Sequence, residues 1–161
     1  MEQLWLELEE ELYQSFSVIA IHTSMRPSRL AYALNSHLGI QLKRTKEDVD
    51  LKKDNIDFYF PLFEFRNENL HHEYNLVGNR NIQVGKQGGT IHYEELDTDL
   101  RKTVYLLPEF KKVDYFLKVD FDDNCLSLEA TLRAINAIRG VQSAYVINNS
   151  LIKSIYNLIF D

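Results

Sequence analysis

Apolar and β-branched residues dominate the segment Phe16-Ser17-Val18-Ile19-Ala20-Ile21-His22. Val18, Ala20 and His22 alternate with Ser17, Ile19 and Ile21, and both sets are mostly apolar, which predicts a central strand. From about Ser28 to Leu38 the period becomes helical. Leu30, Leu34 and Leu38 recur every four residues, with Ala31 and Ala33 between them. Pro27 suits the first turn of that helix and Gly39 the position just past its end. Alternation returns at Ile40 to Arg44 as a strand.

The middle of the chain reads as β. Phe58 to Phe65 is aromatic throughout, and Pro61 cannot donate to a ladder, so this strand is expected at an edge or with a bulge. Arg66 to Asn69 reads as a turn and His72 to Val77 as the returning strand of a hairpin. Gly78 to Leu100 contains Gly85, Gly88 and Gly89 among polar residues. It is expected to be a long mobile loop with a short strand at Thr90 to Tyr93. Thr103 to Leu107 is a short strand ending at Pro108.

Val113 to Phe121 has the cleanest alternation. Val113, Tyr115, Leu117, Val119 and Phe121 share one face; Asp114, Phe116, Lys118 and Asp120 share the other. That predicts a half-buried antiparallel strand. Ser127 is placed to cap a helix running to about Arg139, with Gly140 ending it and Leu128, Leu132, Ile135 and Ile138 as its buried stripe. Gln142 to Ile147 is the next strand, and Leu151 to Phe160 is a tail apolar enough to dock. The N-terminus fits a strand (Leu4, Leu6, Leu8) or a helix (Leu4, Leu8, Leu12), and 1–14 is read as an extended arm or strand.

Together these elements predict one α+β domain over 1–161. Its layers are a mainly antiparallel sheet with two helices packed on one face, and two strand–helix–strand units, 16–44 and 113–147, flank a β meander.

Composition narrows the function. The 161 residues contain 18 Lys and Arg against 24 Asp and Glu, a net charge of −6. That balance disfavours nucleic acid and anionic membranes as partners, because both call for a basic surface. Nine Tyr and nine Phe favour a sheet. The single cysteine, Cys125, excludes an intrachain disulfide and a Cys-rich zinc site. The apolar runs are too short to span a bilayer, and Met1 to Glu11 has five Glu and no Lys or Arg, the wrong charge for a secretory signal. A cytoplasmic protein is expected.

The segment Leu107-Pro108-Glu109-Phe110-Lys111-Lys112-Val113-Asp114-Tyr115 resembles the signature of a bacterial family of unassigned function. That family is named after its motif of Ile-Pro-Glu, three variable residues, then Val-Asp-Tyr. Leu107 stands where Ile is usual. The run Ile19 to His22 followed by Arg29 to Asn35, and the final Asn157-Leu158-Ile159-Phe160, are also similar to that family. The resemblance covers most of the chain from about residue 15. It implies no activity, cofactor or catalytic residue.

The residues themselves offer several chemistries. Glu109 and Asp114 flank a turn into a strand, where two carboxylates can do acid–base work. The expected role is structural, with Glu109 tying the turn and Asp114 facing outward beside a buried Tyr115. Arg29, Tyr32 and Asn35 lie three apart on one helical stripe and, with Arg26 near the helix start, can hold an anion. His71 and His72, adjacent on a strand, point to opposite faces and chelate poorly. His22, His37 and His92 complete no metal spacing. Cys125 follows Asp122-Asp123-Asn124, whose charge raises a thiol pKa and favours an inert thiol. Gly85 to Thr90 shares the composition of a phosphate loop without its spacing. No cofactor or metal is expected. The leading expectation is a non-enzymatic binding module, a homodimer joined at an aromatic sheet edge, with an unidentified small molecule or protein as partner. The alternatives are a small-molecule or anion-binding regulatory domain, and an enzyme using Glu109 and Asp114.

Overall fold

The computed structural model describes residues 16–84, 101–121 and 125–160. The strands are β1 (Ser17–Thr23), β2 (Lys43–Arg44), β3 (Val49–Lys53), β4 (Ile56–Phe60), β5 (Leu62–Asn67), β6 (His72–Gly78), β7 (Arg80–Val84), β8 (Arg101–Tyr105), β9 (Tyr115–Phe121) and β10 (Val141–Ile147). The helices are α1 (Pro27–Leu38) and α2 (Cys125–Asn136), with 3₁₀ turns at Pro108–Phe110, Asn149–Leu151 and Ile155–Leu158. The fold is α+β. No helix among the described residues is long and apolar enough to cross a membrane.

A six-stranded sheet runs in the order β10-β1-β9-β6-β5-β2, and every neighbouring pair in it is antiparallel. β10 therefore runs parallel to β9 across the intervening β1, and β2 runs parallel to β1 across three strands. Each strand–helix–strand unit is a split parallel crossover. The two crossovers travel in opposite directions along the sheet and start on antiparallel strands. A common right-handed sense then brings both helices to the same face. There Leu30, Ala31 and Leu34 of α1 and Ile135 of α2 pack with Ile19, Ile21, Leu76 and Leu117.

The opposite face is covered as well. Val18, Ala20, Val77 and Phe116 pack under Phe58 and Phe60 of the β3–β4 hairpin, Leu106 and Leu107 after β8, and Ile152, Ile155 and Leu158 of the tail. So β9 is not half-buried as its alternation predicts, and Phe116 is fully buried on what was expected to be the solvent face. Lys118 on that face is half-buried too. Its Nζ donates to the Leu158 carbonyl at 2.8 Å and sits 4.5 Å from the ring centre of Phe16 and 5.2 Å from that of Phe160. Burial lowers its pKa, partly opposed by Glu73 and Asp120.

Several expectations shift. The aromatic run is two strands in two sheets, broken at Pro61 where the ladder would need a donor. β4 pairs with β3, while β5 lies inside the main sheet. The expected aromatic edge is thus a core, with Phe58, Phe60 and Phe63 buried. Only Lys43 and Arg44 of 40–44 are strand. The long loop expected from Gly78 begins instead as β7, paired with β8; its remainder, with the strand expected at 90–93, lies outside the described residues, as does the 1–14 arm. The second helix starts at Cys125, so Ser127 lies in its first turn, not ahead of it, and Cys125 belongs to the helix. Leu132 is only partly buried, whereas Ile135 is fully buried.

The stripe of α2 is therefore expected to weigh unevenly on stability. Ile135→Ala should cost roughly 2–5 kcal/mol, the usual range for a buried aliphatic, and Leu132→Ala clearly less. Urea denaturation of the two variants checks this; equal losses would mean Leu132 is as deep as Ile135.

Candidate functional site

Leu107 to Tyr115 carries the chain from β8 into β9. Pro108, with fixed φ, opens the 3₁₀ turn. A bent segment that is buried at Leu107 and Val113 leaves backbone groups that must find partners. Asn79, with no exposed surface, supplies them. Its Oδ1 accepts the Leu107 N–H at 2.9 Å, and its Nδ2 donates to the carbonyls of Phe110 at 2.7 Å and Val113 at 2.9 Å. Its own N–H donates to the Asp114 carbonyl at 3.0 Å, and its carbonyl accepts the Leu106 N–H at 2.8 Å. Sequence reasoning missed Asn79 because an Asn after Gly78 reads as turn chemistry.

The polar side chains of the motif reach outward to other parts of the chain. The Glu109 carboxylate accepts the Ser154 N–H at 2.7 Å and its hydroxyl at 3.1 Å, tying the corner to the tail. Asp114 Oδ2 accepts the Thr23 N–H at 3.0 Å at the end of β1. The Tyr115 hydroxyl donates to the Met25 carbonyl at 2.6 Å. Burial, with the Asp114 charge adding to it, pushes the Tyr115 pKa up to about 12. Three motif side chains thus hold the tail, β1 and the loop that enters α1.

Glu109, Asp114 and Arg29 do not converge on one cleft. Asp114 and Tyr115 line a cleft of about 570 Å³ with Ser24, Arg26, Arg80 and Gln142, while Glu109 and Arg29 lie outside it. Arg26 is the N-cap of α1, with no side-chain cap bond and no acidic residue in the first turn. The backbone N–H groups of that turn carry the positive end of the helix dipole. Arg26 and Arg80 form no ion pair with a carboxylate among the described residues.

The expected stripe on α1 separates into different roles. Arg29 and Tyr32 are exposed, Tyr32 at 75%. Asn35 instead turns to the chain after the helix, accepting the Leu42 N–H at 2.7 Å and donating to its carbonyl at 3.2 Å. His72 packs on Phe121, 4.6 Å between ring centres, and His71 precedes the strand at a φ of 52°. His37 Nδ1 lies 2.9 Å from the Ala33 carbonyl. Among the described residues no three His, Cys, Asp or Glu side chains group as a metal site. Gly85 to Thr90 and His92 lie outside the described residues. No protein-family model, no curated protein and no solved structure matches the chain.

Two measurements test this corner. Asn79→Ala leaves the Leu107 N–H and the Val113 carbonyl without partners, at about 1–3 kcal/mol each, while the Phe110 carbonyl keeps the Val113 N–H, so a loss of roughly 2 kcal/mol or more is expected in urea. Glu109→Gln and Asp114→Asn should each lower the midpoint, by about 1 kcal/mol, through weakened charge-assisted bonds. If both are as stable as the parent or more so, the acids serve something other than the fold.

The second measurement is pH dependence. The Tyr115 pKa is raised from 10.0 to about 12 in the folded chain. Between those values the folded state keeps a proton that the unfolded state has lost, so stability falls as pH rises through the window. Tyr115→Phe removes that contribution. Its urea midpoint should fall less steeply than the parent's across the same window; parallel curves would contradict it.

Proposed function

We propose that the chain is a non-enzymatic, cytoplasmic binding module of the motif family it resembles, and that its ligand is a small anion seated in the cleft at the start of α1. The observation that carries this reading is the meeting of Arg26, at the N-terminus of α1, and Arg80 in one cleft of about 570 Å³. That volume is typical of small-molecule sites. Two guanidinium groups suit a phosphate or carboxylate. Asp114 lines the same cleft and spends Oδ2 on Thr23. Its other oxygen suits a hydroxyl or ammonium on the ligand, so the class is a small acid that also carries a donor. The enzyme reading is weaker, because Glu109 is committed to Ser154, away from that cleft.

Thermal unfolding with inorganic phosphate and with phosphoethanolamine tests the site. A ligand at a hundred times its dissociation constant adds about 2.7 kcal/mol of stability. Phosphoethanolamine is expected to stabilise more than phosphate. Arg26→Ala and Arg80→Ala should each abolish the gain, while Arg29→Ala keeps it. No stabilisation by either probe at millimolar concentration, or loss in Arg29→Ala alone, sinks the cleft as the site.

A homodimer is the second reading, and what favours it is β10. This edge strand carries no charged residue, and Tyr145 and Val146 are exposed. Sedimentation of the parent chain over a concentration series tests it.

A further inference from the structure

Among the described residues β10 pairs on one side only, with β1. An unpaired edge presents N–H and carbonyl groups that template a further strand. The sequence Val-Gln-Ser-Ala-Tyr-Val-Ile contains neither charge nor proline to discourage one. One side chain stands in the way. Asn136, the last residue of α2, accepts the Ala144 N–H on Oδ1 at 2.9 Å and donates from Nδ2 to the Ala144 carbonyl at 2.9 Å.

That pair of bonds is the one a residue of a neighbouring strand would make. Both Ala144 groups therefore point away from β1. In an antiparallel ladder the bonding direction alternates, so Val146 also points outward, while Ser143, Tyr145 and Ile147 face β1. Asn136 thus plugs the middle of the open ladder. Asn136 is itself exposed, and both of its bonds to Ala144 are partly buried.

The other edge gives an internal comparison. Asn35 makes the same two bonds to Leu42, immediately ahead of β2. But β2 is two residues long, and both Lys43 and Arg44 are charged and exposed. Removing that asparagine opens nothing a strand would join.

We propose that Asn136 is a gate on the β10 edge, and that the occupant it excludes is β10 of a second copy. The chain is self-complementary in this geometry. Two antiparallel copies place Ala144 opposite Ala144 on a twofold axis and Val146 opposite Gln142, with no charge to repel. The proposal deepens the homodimer reading and is independent of the anion cleft.

Sedimentation of the parent, Asn136→Ala, Asn35→Ala and the double variant Asn136→Ala/Val146→Lys tests it. Asn136→Ala should tighten self-association by about tenfold or more, since it frees a paired donor and acceptor. Asn35→Ala should match the parent, and the added lysine should return the double variant to monomer. If the parent is monomeric and Asn136→Ala dimeric, the gate stands and the parent's homodimer falls. If Asn136→Ala associates no more tightly than the parent, the gate is overturned. Should Asn136→Ala fail to fold, Asn136→Ser, whose side chain is too short to hold both Ala144 groups, is measured in its place. Tighter self-association of Asn136→Ser than of the parent supports the gate, and equal association overturns it.

Discussion

A single buried carboxamide, that of Asn79, holds the corner through which the two halves of the fold meet. It takes one donor and two acceptors from the backbone between Leu107 and Val113. The bonds to Leu107 and Val113 are buried and that to Phe110 partly so, and a carboxamide, with two donors and an acceptor, serves all three. Once that loop is fixed, Glu109, Asp114 and Tyr115 are aimed at three separate segments of chain. The family-like motif therefore works as the outer half of a device whose inner half is Asn79. Its acids orient backbone, and the cleft beside Asp114 inherits its shape from the same bonds.

Asparagine does similar work elsewhere. Asn35 and Asn136 each close a crossover by holding both polar groups of one residue in the chain that follows their helix. Asn149 donates to the Phe16 carbonyl at 2.6 Å, and Asn157 to that of Leu106 at 2.8 Å, pinning the tail. The two crossover units share no residue-by-residue likeness, yet they solve the same problem alike. A helix of limited length must hand the chain back to a sheet, and a short side chain with paired donor and acceptor bridges the gap.

What the sequence made legible were the elements whose burial is one-sided or total along their own length. β1, α1 and β10 lie close to where periodicity put them, and Gly39 ends α1 at a φ of 66° as its position implies. Periodicity failed where the second layer decides burial. Phe116 and Lys118 look like a solvent face until the β3–β4 hairpin and the tail are laid over them. That hairpin was itself missed, although Asp54 and Asn55, both at positive φ, form the two-residue turn that such dipeptides favour. The site was less legible than the fold. Asp114 and Tyr115 do line the cleft, but Arg29 points elsewhere and Arg80 arrives from a strand read as loop. Long-range register, not local pattern, decides which side chains meet.

β1 has a further consequence, in the order of assembly. Val18, Ile19, Ala20 and Ile21 have no exposed surface in the finished fold, yet both neighbours of this strand come late in the chain. Val18 pairs with Lys118 and Ile147, 100 and 129 positions further on. During synthesis the most apolar strand thus emerges early and waits for most of the chain to follow before it can be covered. Distant pairing slows folding, and an apolar strand without partners is prone to aggregate. The nascent chain therefore carries this strand uncovered until β9 and β10 have both left the exit tunnel.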